Sequence, residues 1–215
     1  MAFKRLPVLE MTMNKNDPIF KSVFSTKWDA LPTVMKKHYA NRPYSNDVVT
    51  IKGKMNFIIA KWAQWTMPLF KWLRIIVPYA GSNIDVTVHF RSEPNSDVYQ
   101  FDRWIYFPGK KPYNFLSKMR RLQGNEIVEQ FACGICWRMY YDFDGEKVLL
   151  LHKGYALKFF NKIIPFPITP IVGKGYAEEI PIDENSFKMR MTITHPLFGM
   201  YYEYNGEFTV IETQL

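Results

Sequence analysis

The chain has 215 residues, 47% hydrophobic and 17% aromatic, with a formal net charge of +8 and two cysteines. That length suits one all-β or α+β domain; two cysteines exclude a disulfide framework; and 13 Tyr, 17 Phe and 6 Trp favour strands over helices. The excess of Lys and Arg would suit anionic membranes, nucleic acid or acidic partners. It is dispersed in pairs such as Lys36-Lys37, Lys110-Lys111 and Arg120-Arg121, however, and no nucleic-acid module motif accompanies it, so no nucleic-acid role is expected.

At the N-terminus, Lys4 and Arg5 are followed by no apolar core of signal-peptide length, because Pro7, Glu10, Thr12 and Asn14 interrupt it. The chain therefore reads as cytoplasmic, with peripheral attachment to the inner membrane as the alternative. Residues 1–16 read as a leader and 17–215 as a single α+β, barrel-like domain. Asp17-Pro18 is a helix-start signal, and Phe20, Val23, Phe24, Trp28 and Leu31 continue with helical spacing to about Ala30. Thr33 to Tyr39 reads as a second short helix, with His38 on its surface, ended by Asn41-Arg42-Pro43.

From Val48 the period becomes two: Val49, Ile51, Gly53, Met55 and Phe57 alternate with Thr50, Lys52, Lys54 and Asn56, a half-buried strand. Phe57 to Ala80 is apolar and aromatic, but Lys61, Lys71, Arg74 and Pro68 argue against a membrane span. Two readings remain. One is a pair of short helices closing an end of a barrel, which is the expectation; the other is an interfacial segment with tryptophans at headgroup level.

Strands then follow closely. Ile84, Val86, Val88 and Phe90 alternate with Asp85, Thr87, His89 and Arg91. Between Val98 and Phe143 four strands are expected, and two charges fall on their apolar faces. Arg103 shares a register with Tyr99, Phe101, Ile105 and Phe107, and Glu129 shares one with Ile127 and Phe131. An isolated buried ion costs several kcal/mol or more, so these two are natural partners. The register Ile135, Trp137, Met139, Tyr141, Phe143 is wholly apolar or aromatic. After a strand over 147–160, Pro165, Pro167 and Pro170 predict a loop. Val172 to Glu179, Phe187 to Thr194 and Met200 to Ile211 are the last three strands. About ten strands on short connections predict an α+β fold: a curved antiparallel sheet or incomplete barrel, mostly a meander, with N-terminal helices and a helical insertion after the first strand plugging its concave side.

Trp137-Arg138 through Asp144-Gly145, Gly175-Tyr176-Ala177-Glu178, Pro196-Leu197-Phe198-Gly199 and Tyr202 to Gly206 resemble an uncharacterised bacterial domain-of-unknown-function family, found alone or fused behind Rossmann-type dehydrogenase-like modules. The likeness runs from Phe20 to Val210. It implies an autonomous curved-sheet domain without assigned chemistry and, as a partner, a separate dehydrogenase-like chain, because no Rossmann fingerprint occurs here.

Cys133-Gly134-Ile135-Cys136 is a CxxC, but it leads into a strand rather than a helix N-terminus, and the four histidines are scattered singly. Redox and metal roles are not expected, and no cofactor is implied. The expected function is non-catalytic binding of an apolar or amphiphilic small molecule, with a lipid among the candidates, in the concavity of the sheet. Arg103 and Glu129 would hold its polar end, and Phe101, Trp137, Met139, Tyr141, Met189 and Tyr202 would line its tail. Two alternatives stay open: an isomerase, cyclase or hydrolase using Arg103 and Glu129, and a filled-core module that binds a partner or a membrane surface. Arg103 and Glu129 as a purely structural ion pair is equally open.

Overall fold

A computed structural model describes residues 14–160 and 162–215. The leader expected for residues 1–16 falls mostly outside them. Among the described residues eleven strands form one antiparallel sheet: β1 (Val48–Ile59), β2 (Gly81–Ser92), β3 (Tyr99–Tyr106), β4 (Tyr113–Arg121), β5 (Glu126–Gln130), β6 (Ile135–Phe143), β7 (Val148–Phe159), β8 (Lys162–Phe166), β9 (Lys174–Pro181), β10 (Ser186–His195) and β11 (Gly199–Gln214). The helices among the described residues are short: α1 (Ile19–Phe24), α2 (Thr33–His38), α3 (Met67–Leu73) and α4 (Thr169–Val172), with 3-10 turns at Ser25–Lys27 and Lys61–Thr66.

The sheet runs β6-β5-β4-β3-β2-β1-β11-β10-β9-β7, and β7 pairs back onto β6, so ten strands close into a barrel. This corrects the expectation of an incomplete barrel. The alternating apolar register needed cover over its whole length, and closure supplies it while removing the sheet edges. β7 makes closure possible by changing partner. Val148–Leu151 pairs with β9; a bulge opposite Arg138 and Met139 then bends the strand at Gly154, and Tyr155–Phe159 pairs with β8. Of the proline-rich segment, where a loop was expected, Lys162–Phe166 is a strand, whereas Pro167 lies in the connection and Pro170 in α4. β8 can hold Pro165 because it is an edge strand with β7 as its neighbour.

α1 and α2 plug one end, where Phe20 packs against Tyr39, Tyr99 and Tyr141. Asp17 makes no helix cap; its carboxylate meets Lys21. The segment between β1 and β2 straps the opposite end: Ala63, Met67, Ile76 and Val77 are buried, and the Val77 amide donates to the Tyr202 hydroxyl at 3.2 Å. It closes an end of the barrel, as the expectation of two short helices had it, though as a 3-10 turn and one helix that lie across the mouth with one face and leave the other in solvent, not as a plug on the concave side.

Where β1 and β11 cross, two glycines permit the approach. A Cβ on Gly53 would lie 2.0 Å from the Glu207 carbonyl oxygen, and one on Gly206 2.3 Å from that of Lys54. Both obstacles are backbone and cannot rotate away. Gly206→Ala is therefore expected to lower the urea midpoint by an amount equivalent to about 3 kcal/mol, whereas an alanine at Gly109, where nothing lies within 4 Å, brings no clash and only the strain of a positive φ of 68°.

Candidate functional site

Arg103 reaches into the barrel from β3 and Glu129 from β5, with Ser117 of β4 between them. The arginine is 9% exposed and the glutamate 6%. Arg103 Nη2 donates to Glu129 Oε1 at 2.8 Å and to Ser117 Oγ at 2.5 Å, Nε donates to the Phe115 carbonyl at 3.1 Å, and Ser117 Oγ donates to Glu129 Oε1 at 2.6 Å. The guanidinium carbon sits 4.3 Å from the Phe101 ring centroid and 4.1 Å from that of Phe115. Aromatic faces thus pack against the buried charge. The Glu129 carboxylate is committed to Ser117 and Arg103, so an anionic ligand at Arg103 would compete with it.

A second buried polar centre lies in the plugged half and was not read from the sequence. Glu179 of β9 is 3% exposed, accepts a hydrogen bond from the Tyr39 hydroxyl, and has Oε1 3.5 Å from His38 Nε2. His38 is buried among Phe90, Phe187 and Tyr39, not on a helix surface, because α2 sits within the barrel mouth. Its Nδ1 has no hydrogen-bond partner among the described residues. Burial, and next to it the Glu179 charge, push the Tyr39 phenol well above its ordinary range; burial does the same to Tyr99 and Tyr141. Glu179 stands in an inward register with Gly175 and Ala177, a signal of the same kind that exposed Arg103.

Between the two centres is an apolar void of about 30 Å³, bounded by Arg103 and Phe101 on one side, His38 and Glu179 on the other, with Met55 and Met189 along it. A smaller one of about 20 Å³ lies under the strap, against Glu129, Trp137 and Tyr202. Water needs roughly 10–15 Å³ of such space, so the interior as it stands is nearly filled. Of the residues expected around a ligand, Phe101, Arg103 and Met189 line the first void and Glu129, Trp137 and Tyr202 the second. Met139 and Tyr141 line neither; Tyr141 packs on Phe20 and Phe24 instead.

Met189 has a second surface. It also lines an outer groove of about 580 Å³ whose walls carry Lys54, Asn56, Lys188, Arg190 and Asn205. Those cations have partners: Lys54 meets Asp85 at 3.3 Å, Lys188 meets Glu207 at 3.4 Å and Arg190 meets Glu203 at 2.9 Å. On β7, His152 Nδ1 accepts from Trp137 Nε1 at 2.9 Å and Nε2 faces Thr169 Oγ1 at 3.1 Å, which requires the neutral ring protonated at Nε2. Burial, and then the Lys174 charge, lower its pKa to about 4. Burial pushes the Cys136 thiol up to about 11, the opposite of an activated thiolate, and Cys133 is exposed in the preceding turn.

Fold and interior together define a small closed antiparallel barrel with buried charges paired across its strands. The chain belongs to the family described as a domain of unknown function, DUF4166, whose model matches residues 31–208. No curated protein matches it significantly. Among solved structures, Rv2717c from M. tuberculosis is similar at 12% identity and a TM-score of 0.44, over 76% of this chain and 91% of that one. The dehydratase domain of the polyketide PpsC from Mycobacterium tuberculosis aligns at 5% identity and a TM-score of 0.18, over 87% and 84%. Likenesses this distant carry nothing about activity.

Removing one member of the central pair leaves a buried charge, so Arg103→Met should cost about 3–5 kcal/mol in urea unfolding. Arg103→Met with Glu129→Met should recover most of that loss. For His152 the folded pKa of about 4 lies below the unfolded 6.5, so the unfolded chain binds the extra proton. Stability conferred by the neutral ring is full above pH 6.5 and falls as pH drops toward 4. His152→Gln should flatten the fall in melting temperature between pH 7 and pH 4.5; an unchanged slope would show that the ring does not contribute to it.

Proposed function

We propose that the barrel binds a small amphiphile, with its polar end in the outer groove and its apolar part in the interior. The observation that carries this reading is Met189, a residue that borders both the groove of about 580 Å³ and the apolar void behind it. Gly206, paired with Met189 across β10 and β11, puts no side chain beside it. The void is small, and an apolar chain enters by turning aside Met55 and Met189, unbranched side chains with three rotatable bonds that re-pack at low cost. Inside, it would meet Phe101, Phe187 and Phe208, and its inner end would approach His38 Nδ1 or Arg103. Asn56 and Asn205 supply neutral hydrogen-bonding groups at the groove, and Lys188 and Arg190 would take an anionic head only by exchanging their present partners Glu207 and Glu203 for it.

The test is native mass spectrometry of freshly purified protein, followed by organic extraction, with titration of a fluorescent C18 fatty acid. The expected result is a single saturable site. Met189→Trp, which fills the passage, should weaken uptake at least about tenfold while Lys52→Ala, outside the groove, leaves it unchanged. A clean apo mass together with no uptake of the probe would overturn the reading in favour of a filled core.

A further inference from the structure

The two ends of the barrel differ in charge and in exposed apolar surface. At the strapped end the strand termini and connections comprise 60–80, 107–112, 131–134, 158–174 and 195–199, which together hold eight Lys and Arg and no Asp or Glu. None of those eight has a carboxylate within 4 Å among the described residues. At the plugged end, segments 14–47, 93–98, 122–125, 144–147 and 182–185 hold nine carboxylates against seven Lys and Arg. The excess positive charge of the protein is therefore gathered at one end, which its scattered sequence positions conceal.

Large apolar side chains stand out of that same end. Trp65, Leu69 and Trp72 lie at i, i+4 and i+7 along the strap, so they share one face, and both tryptophans are 78% exposed. Met67 holds the strap down from the opposite face. The β10–β11 turn adds Leu197, 82% exposed, and Phe198, whose ring lies 5.0 Å from that of Trp62. Phe160 of the β7–β8 turn is also 82% exposed. Exposed apolar groups in such a cluster mark an interaction surface.

We propose that the strapped end docks on an anionic lipid bilayer, with Trp65, Trp72 and Phe198 at headgroup depth and Lys61, Lys71 and Arg74 against lipid phosphates. Tryptophan suits that depth because its ring is apolar while its N–H still finds a partner. The cations favour a membrane over a protein partner: they come from three separate segments, 60–80, 107–112 and 158–174, and none is paired with a carboxylate among the described residues, which matches a broad uniformly negative surface. The strand axes then run away from the membrane, and the acidic plugged end faces solution. No helix of the described residues is long and apolar enough to cross a bilayer.

The inference does not rest on the amphiphile reading, and the Met189→Trp variant is expected to dock as the wild type does. The experiment is co-sedimentation of the full chain with large unilamellar vesicles, either phosphatidylcholine alone or phosphatidylcholine with about 30% phosphatidylglycerol, alongside tryptophan fluorescence. Binding to the anionic vesicles with a blue-shifted emission is expected, with at least about tenfold weaker partition into phosphatidylcholine alone. Trp65→Ala with Trp72→Ala, and separately Lys61→Glu with Lys71→Glu, should each lower partition at least about tenfold with unchanged melting temperature. Lys36→Glu with Lys37→Glu, at the plugged end, should have little effect. The proposal is overturned by absence of binding to the anionic vesicles, by equal loss from the plugged-end variant, or by a stable homodimer that hides the tryptophans.

Discussion

The closure of the sheet by β7 is the constraint on which the rest depends. A strand at a sheet edge leaves a row of unpaired amides and carbonyls, and β7 satisfies two such rows at once by pairing with β6 along its length and with β9 and β8 in turn. Once the ring is closed, every inward side chain shares a single interior cut off from solvent. Polar groups there must find partners among themselves. Arg103, Ser117 and Glu129 do so across three neighbouring strands, and Glu179 does so with Tyr39 from the plug.

Closure also separates the two halves of the molecule chemically. Connections alternate between ends in an antiparallel barrel, so each loop contributes to one end or the other, and the composition of alternate loops decides what each end presents. Here alternate loops carry nearly opposite chemistry. One set is acidic and is sealed by α1 and α2; the other is basic, aromatic and spanned by the strap. The strap does two things with its two faces. Ile76 and Val77 close the interior, while Trp65 and Trp72 remain in solvent.

Much of the fold was legible in the residues. Alternation over 84–91, 99–107, 135–143 and 187–194 placed β2, β3, β6 and β10 within a few residues of their observed bounds, because a half-buried strand writes its two faces into every second position. The inward charges of Arg103 and Glu129 were legible for the same reason, and they do meet. The partner change of β7 was not, since it depends on a bulge set by register with β6. The second polar centre was hidden because His38 lies on a six-residue helix, too short to show which way it faces, and joins Glu179 across 141 positions of sequence.

By itself, then, the sequence determined the local period, the rough number of strands and the identity of the charges turned inward, since these follow from spacing along one chain. Tertiary structure alone decided that the sheet closes, that the interior is nearly filled, and that scattered lysines and tryptophans gather at one end. Those properties arise from which strands become neighbours, and hydrogen-bond pairing between segments far apart in the chain leaves no mark on the spacing within either segment.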